Sequence, residues 1–284
     1  MEIIKNIEEM QSRAEETRRS GKKIALVPTM GALHEGHLAL MEYGQKKADW
    51  LVVSIFVNPL QFGPKEDFAK YPRDLERDSR LTGGKGVDII FSPEAERFYP
   101  EFFQTYVNVE KITQGLCGAS RPGHFRGVTT VVCKLFHIVK PHFGIFGQKD
   151  YQQWIAIRQM ADDLNMDVEV VGIPTIRESD GLAMSSRNIY LSPEERISAR
   201  SLSLALKEAQ TLFRKGERKT EVLLTQAIQS IGQHPDTRID YAKICHPRTL
   251  EELTVIKDRG VFALAVWVGA TRLIDNCLLE ENQP

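Results

Sequence analysis

An α/β architecture, a Rossmann-like open parallel sheet followed by a smaller C-terminal α+β domain, follows from three features of the 284-residue chain. Candidate strands at residues 24–27, 50–57, 87–91, 143–146 and 168–171 are separated by helix-sized segments, as in an open α/β sheet. Seven of the eight residues in 50–57 are apolar, which suits a parallel strand covered on both faces. Near residue 186 the order changes to two amphipathic stretches followed by three strands, predicting a boundary between residues 1–186 and a C-terminal lid, 187–284.

Each element has a local reason. Ile7–Arg19 is polar with spaced apolar positions, a surface helix that Gly21 ends. Residues 24–27 form a buried strand, and the turn Pro28-Thr29-Met30-Gly31-Ala32-Leu33-His34-Glu35-Gly36-His37 hands it to an amphipathic segment beginning at Leu38. A charged helical stretch covers residues 74–81 before the third strand. A helix over 128–140 follows the basic turn 121–127, and another over 151–164 separates the last two strands of the sheet. Beyond the boundary, Ser192 is an N-cap, Pro193 takes the first helical position and Glu195 the third, where its carboxylate reaches back to the cap N–H. That helix runs to about residue 214; a second covers 219–231, and strands follow at 238–244, 261–268 and 272–277. A ligand of such a sheet sits beyond the carboxyl ends of the strands, where the strand order reverses.

Composition narrows the function classes. Hydrophobic residues at 42% and charged residues at 26% describe an ordinary globular protein, and a net charge of -1 supplies no general attraction for nucleic acid. Cys117, Cys133, Cys245 and Cys277 lack paired metal-ligand spacing, and Met1 leads into a polar segment, so a reducing, cytoplasmic setting is expected. No stretch approaches the roughly 18 consecutive apolar residues of a membrane span.

The turn at 28–37 carries the strongest chemical signal. His34 and His37 are three apart and share a helix face if the helix starts at or just before His34. Local capping, zinc binding, acid–base catalysis and phosphate binding all compete here. The phosphate reading has the best support: the N–H groups of a first helical turn favour anions, Gly31 and Gly36 let a ligand approach the backbone, and imidazole N–H groups donate to phosphoryl oxygens. Neither a Walker loop nor a dinucleotide fingerprint follows any strand, so a nucleotide would be held differently.

Further clusters extend this reading. Gly147, Gln148, Lys149 and Asp150 follow the fourth strand; Lys149 can neutralise phosphate, and Asp150 can cap a helix or reach Mg²⁺ through water. Met184, Ser185, Ser186, Arg187 and Asn188, preceded by 177–181, form a plausible phosphate clamp. Asn58 and Gln61 follow the second strand and can orient a small polar substrate, with Tyr71 and Arg73 as accessory candidates. Arg121, His124 and Arg126 make a basic patch suited to an acidic substrate.

Six motifs in order, 28–37, 56–62, 71–73, 121–127, 149–153 and 184–188, make the whole chain resemble the pantoate–β-alanine ligase (pantothenate synthetase) family of the nucleotidyltransferase-like α/β superfamily. The resemblance implies an ATP- and Mg²⁺-dependent condensation of (R)-pantoate with β-alanine through a pantoyl adenylate, in a homodimer with no nucleic-acid or membrane partner. It implies that residues 1–186 bind nucleotide and pantoate. Met30, Gly31, Ala32, Leu33, His34, Glu35, Gly36 and His37 would lie along ATP, together with Gly147, Gln148, Lys149, Asp150, Ile176, Met184, Ser185, Ser186 and Arg187. His34, His37, Lys149 and Arg187 would be catalytic; Asn58, Gln61 and Gln153 would bind substrate; no protein ligand of the metal is implied. Gln148 stands where Glu is common in the family, and Cys245-His246-Pro247 is less typical. A related adenylyl-transferring enzyme acting on another small acid is the nearest alternative.

Overall fold

The computed structural model describes residues 1–64, 66 and 68–281. The chain divides into two compact units, Met1–Glu110 with Arg121–Gln148 and Gln153–Pro174, and Lys111–Ser120 with Lys149–Gln152 and Thr175–Pro284.

The first unit is built on a six-stranded parallel sheet with helices between its strands. In chain order its elements are β1 Glu2–Ile4, α1 Ile7–Arg19, β2 Ile24–Thr29, α2 Glu35–Lys47, β3 Trp50–Ile55, α3 Leu75–Gly83, β4 Ile89–Phe91 and α4 Ala95–Phe98. The short helix α5 Cys117–Ser120 lies in the second unit; α6 His124–Val139, β5 Phe143–Gly147, α7 Tyr151–Asp163 and β6 Glu169–Ile173 complete the sheet. The strand order is β1-β4-β3-β2-β5-β6, and every pairing is parallel. Ile24, Ala25, Leu26 and Val27 of β2 are fully buried and Leu51, Val52 and Val53 of β3 nearly so, which explains their unbroken apolarity.

The order reverses between β2 and β5, and there the sheet opens. β2 pairs with β3 over its full length, to Thr29 opposite Ile55, and β5 pairs with β6 as far as Gly147 opposite Ile173. Between β2 and β5, however, pairing covers only Ala25 with Phe143 and Leu26 with Gly144. Pro28 supplies a reason. The Ile24 carbonyl accepts His142 N–H on the β5 side at 2.8 Å, and the Thr29 carbonyl accepts Phe56 N–H on the β3 side at 3.1 Å. Residues of a strand address their neighbours alternately, so Pro28 faces β5, and proline has no N–H to give it. The missing donor thus falls where the strands have already parted.

Several boundaries depart from the sequence-based expectation. β1 was not expected, since three residues carry no periodicity; it pairs with β4 at the sheet edge. β3 ends at Ile55, short of the apolar run, and the chain turns through Asn58 into a 3-10 turn at Pro59–Gln61. α6 begins at His124, inside the segment read as a basic loop, because Gly123 enters its first turn in a left-handed conformation (φ 82°). Gly127 inside that helix has a packing reason. A Cβ there would overlap the Leu60 carbonyl and lie 2.6 Å from Gln61 N, so α6 lies directly against the turn that carries Gln61.

In the second unit, α8 Pro193–Arg214 and α9 Thr220–Gly232 precede the antiparallel strands β7 Thr237–Cys245, β8 Arg259–Val268 and β9 Thr271–Glu280, ordered β7-β8-β9. The expected capping box starts α8: Ser192 Oγ accepts Glu195 N–H at 3.2 Å, and Glu195 Oε2 accepts Ser192 N–H at 2.9 Å. The core joins the helix residues Leu202, Leu206 and Phe213 to Phe262, Leu264, Val266, Leu273 and Leu279 of the sheet.

Gly127→Ala is expected to cost about 1–3 kcal/mol, the usual range for overpacking against atoms that cannot move aside. Urea unfolding should show a lower midpoint at unchanged slope. An unchanged midpoint would refute the close approach of α6 to the Gln61 turn.

Candidate active site

The turn between β2 and α2 opens from the mouth of the split between β2 and β5. It contains two consecutive left-handed residues, Gly31 at φ 81° and Ala32 at φ 51°. The second is unfavourable for an alanine and needs an external hold. Asp78 of α3 supplies it: Oδ2 accepts Ala32 N–H and Oδ1 accepts Leu33 N–H, each at 2.9 Å, with the residue 1% exposed. A Cβ on Gly31 would stand 2.9 Å from Asp78 Oδ2, so glycine is required there by space as well as by φ. Thr29 Oγ1 donates to the Ser54 carbonyl at 2.8 Å and accepts Gly31 N–H at 3.2 Å.

The histidines close the other side of the turn. His34 is the N-cap of α2, its Nδ1 accepting Gly36 N–H at 3.1 Å, and His37 Nδ1 accepts His34 N–H at 3.3 Å. A backbone N–H only donates, so each Nδ1 holds a lone pair, and the hydrogen of each neutral ring sits on Nε2. The ring centroids are 4.1 Å apart, which opposes two simultaneous positive charges. The capping and phosphate readings are therefore compatible, using different nitrogens of the same ring. In the first turn of α2, Gly36 N–H is taken by His34 Nδ1 and His37 N–H lies 2.8 Å from the His34 carbonyl, while the N–H groups of Ala32, Leu33 and His34 are occupied in holding the turn before the helix.

Gln61 is held from behind. Its Oε1 accepts from Asn58 Nδ2 at 3.0 Å, and its Nε2 faces Met30 Sδ at 3.1 Å. Asn58 also donates to the Gly127 carbonyl at 3.1 Å and accepts from Leu60 N at 3.3 Å and Tyr99 OH at 2.8 Å. All four hydrogen-bonding positions of the Asn58 amide are thus taken within the protein. Burial pushes the Tyr99 hydroxyl above its ordinary pKa, keeping it a neutral donor.

Two residues of the basic patch at 121–126 hold the Gln61 carbonyl. Arg121 donates to Glu66 at 2.7 and 2.6 Å and to the Gln61 carbonyl at 3.3 Å. Its Nη1 also lies 3.1 Å from His124 Nε2, leaving His124 Nδ1–H to donate to the same carbonyl at 2.8 Å. Burial pushes the Glu66 carboxyl up, but the hydrogen bonds and charge of Arg121 outweigh it and hold the carboxyl below its ordinary range. Arg126 stacks on Tyr106 at 3.8 Å, and Arg73 donates to the Phe68 and Tyr71 carbonyls at 2.9 and 3.1 Å. Gly147 ends β5 and Gln148 follows it at the same end of the sheet, and Gln153 is half-buried in α7.

The second unit holds the remaining candidates. The Lys149 carbonyl accepts from Asn276 Nδ2 at 2.8 Å, and Lys149 Nζ lies 3.9 Å from the half-exposed Asp150 carboxylate. Ile176 O accepts Met184 N–H at 2.9 Å, tying the ends of the 176–184 segment. Ser185 Oγ accepts Arg187 N–H at 3.2 Å and opens a 3-10 turn at Ser186–Tyr190, in which Arg187 is half-buried. Arg177, grouped by sequence with the phosphate clamp, instead pairs with buried Asp275 at 2.6 and 2.9 Å. Gln152 beside Gln153 is structural, joined to the backbone of Ile112, Gly115 and Cys117 at 2.8–3.0 Å. Among the described residues no group of three His, Cys, Asp or Glu could hold a metal ion.

Sequence reasoning missed Asp78 and Asn276. Asp78 did leave a trace: it falls with Leu75 and Thr82 at helical spacing, an acid on a face that turns inward.

The model of the Pantoate-beta-alanine ligase family matches residues 2–278. The pantothenate synthetase of Geotalea uraniireducens is 59% identical over 282 residues, covering 99% of this chain and 100% of its own. That of Geobacter sulfurreducens is 56% identical over 283 residues, with 100% of both chains covered. Among solved structures, Thermus thermophilus pantothenate synthetase superposes with a TM-score of 0.94 at 45% identity, covering 99% of this chain and all of its own. The Francisella tularensis pantoate-beta-alanine ligase complexed with beta-gamma ATP and beta-alanine gives 0.81 at 33% identity, with 99% of each chain covered.

Asp78→Ala removes the acceptor of two N–H groups, an expected loss of about 1–3 kcal/mol for each donor left buried. Amide exchange at Ala32 and Leu33 should accelerate while that of central β2 stays slow. Unaltered protection at both amides would refute the clamp.

Proposed function

We propose a division of labour among these residues from one premise: the chain belongs to the pantoate–β-alanine ligase family. It is an AMP-forming carbon–nitrogen ligase that condenses pantoate with β-alanine, using ATP as co-substrate. The observation that carries the assignment of roles is the pair of imidazoles, each anchored through Nδ1, at the carboxyl end of β2 beside the split in the sheet.

Condensation needs an activated acyl group, because a carboxylate is a poor electrophile. The pantoate carboxylate attacks the α-phosphorus of ATP; the bond to the bridging oxygen breaks, and pyrophosphate leaves. The amine of β-alanine then attacks the acyl carbon of the pantoyl adenylate and displaces AMP. In the first step the nucleophile is already ionised and has no proton to lose. His34 and His37 therefore act as neutral Nε2–H donors to phosphoryl oxygens as negative charge builds, an electrostatic role. Using Nδ1 for proton transfer would break the contacts that shape the turn.

Gln61 and Gln153 orient pantoate, with Gln61 also serving the β-alanine position, and Asn58 acts from behind Gln61. Residues 30–37 with Gly147 and Gln148 line the nucleotide, Ile176 addresses adenine through its backbone, and Ser185 and Ser186 contribute phosphate contacts. Lys149 and Arg187 supply positive charge. Mg²⁺, when bound, would neutralise the triphosphate; Asp150, half-exposed beside Lys149, is the residue that would reach it through water, with nucleotide oxygens supplying other ligands. The proposal includes residues 187–284 as a lid, a homodimer and a cytoplasmic setting; no described helix is long and apolar enough to cross a membrane.

Protein supplied with ATP, Mg²⁺, pantoate and β-alanine is expected to form pantothenate, AMP and pyrophosphate. Without β-alanine it should exchange labelled pyrophosphate into ATP only when pantoate is present; exchange independent of pantoate would overturn the adenylate route. His37→Ala is expected to lower exchange about 100- to 1,000-fold. His37→Gln, which keeps a donor near Nε2, should retain at least about ten-fold more activity than the alanine variant, a separation within the range of one such donor. Equal loss in both would argue against Nε2–H donation.

A further inference from the structure

We propose that Asp275 and Asn276 of β9 are positioning residues for the phosphate-binding segments of the second unit, Asn276 for Lys149 and Asp275 for the segment leading to Arg187. The inference rests on reading Lys149 as a phosphate-binding residue.

The two side chains are adjacent on a strand and so address opposite faces of the sheet. Asp275 shares its face with Leu273 and Leu279 of the core, a row where alternation calls for an apolar residue. It is 3% exposed, and its carboxylate receives both Nη1 and Nη2 of Arg177, at 2.6 and 2.9 Å. The same guanidinium donates to the Gly181 carbonyl at 3.2 Å, and Arg177 bridges Ala183 through the backbone. Asn188, just past Arg187, donates to Glu178 at 2.7 Å and to the Ala183 carbonyl at 3.1 Å. The segment 177–188 is therefore folded on itself and joined to β9 through the Arg177 guanidinium.

Asn276 addresses the other segment. Its Nδ2 donates to the Lys149 carbonyl at 2.8 Å, and its backbone N–H donates to Asp275 Oδ1 at 2.8 Å, which helps fix the Asp275 carboxylate. Lys149, Ser185, Asn188 and Asp275 line one small cavity, so both segments converge on this point of β9.

Energetics favour a positional role. A buried ion pair seldom stabilises a fold more than well-packed apolar residues of similar volume, because desolvation offsets the attraction. Burial pushes the Asp275 carboxyl above its ordinary range even with Arg177 bound to it. What the pair supplies is a directional, two-point connection from a rigid strand to a loop.

The test is a double-mutant cycle on the full chain, read by pantoate-dependent pyrophosphate–ATP exchange. Asn276→Ala is expected to lower the exchange rate about ten- to a hundred-fold, within the range for a displaced reacting group, with circular dichroism unchanged. In a Lys149→Met background the same substitution should lower it less than about three-fold further, since coupled residues are not additive. If Asn276→Ala fails to fold, Asn276→Asp, which keeps the shape and removes the donor, takes its place in the cycle. Parent-like exchange in the Asn276 variant beside an impaired Lys149→Met overturns the positioning role. So do fully multiplicative losses, which would mean that Asn276 acts through another route. Parent-like exchange in Lys149→Met alone overturns instead the reading of Lys149 on which the inference rests. For Asp275, the cycle pairs Asp275→Asn with Arg187→Gln, and multiplicative losses there overturn its half of the proposal.

Discussion

Pro28 has no hydrogen to give β5, and the architecture of the first unit's candidate site follows from where that lack falls. A proline in a central strand would ordinarily leave a neighbouring carbonyl without its donor. Here it faces the side on which pairing between β2 and β5 has already stopped, while the β3 side remains paired to Thr29. The strands can part at their carboxyl ends with little loss of hydrogen bonding, at the place where the strand order reverses. Two residues later the chain enters the left-handed pair Gly31 and Ala32, so the opening and the turn beside it come from one short stretch.

That turn is stable only because its donors are met from within the protein. Asp78 takes two of them, Thr29 a third, and the histidine rings two more. A loop of this kind would otherwise depend on a ligand or water to satisfy its N–H groups. With these five N–H groups occupied, the donors proposed for anion recognition are side chains, whose directions are defined. Gln61 follows the same logic: its carbonyl is held by Arg121 and His124, its side chain by Asn58, and its turn by the close approach of α6 at Gly127.

How much of this the sequence revealed depended on the range of the interaction. Unbroken apolarity in residues 24–27 and 50–57 announced parallel strands because burial on both faces acts on every residue. The Ser192, Pro193 and Glu195 start of α8 was legible because a capping box is complete within four positions. His34 and His37 were identifiable from their spacing, but not the use of Nδ1 for capping. β1 is too short to show a period, and α6 was placed four residues late because a left-handed Gly123 beside basic residues also describes a loop. Asp78 reaches back more than forty positions to Ala32 and Leu33, and Asn276 more than a hundred to Lys149. Only the folded chain brings those partners together. The supporting role of Arg121 was hidden for the same reason, since its partner Glu66 lies fifty-five residues upstream.

A common rule connects these anchors. Asp78 binds amides, Arg121 and His124 bind the carbonyl of Gln61, and Asn276 binds the carbonyl of Lys149. The histidines are held through Nδ1 and the Arg187 turn through its N–H. These contacts are made through backbone atoms and Nδ1, which the proposed chemistry does not require. Each unit also holds acids near its candidate residues. Asp78, Glu66 and Asp275 are each turned toward internal donors, so their charge is compensated within the protein and need not oppose the triphosphate. Local geometry can then favour an anion in a chain whose net charge is only -1.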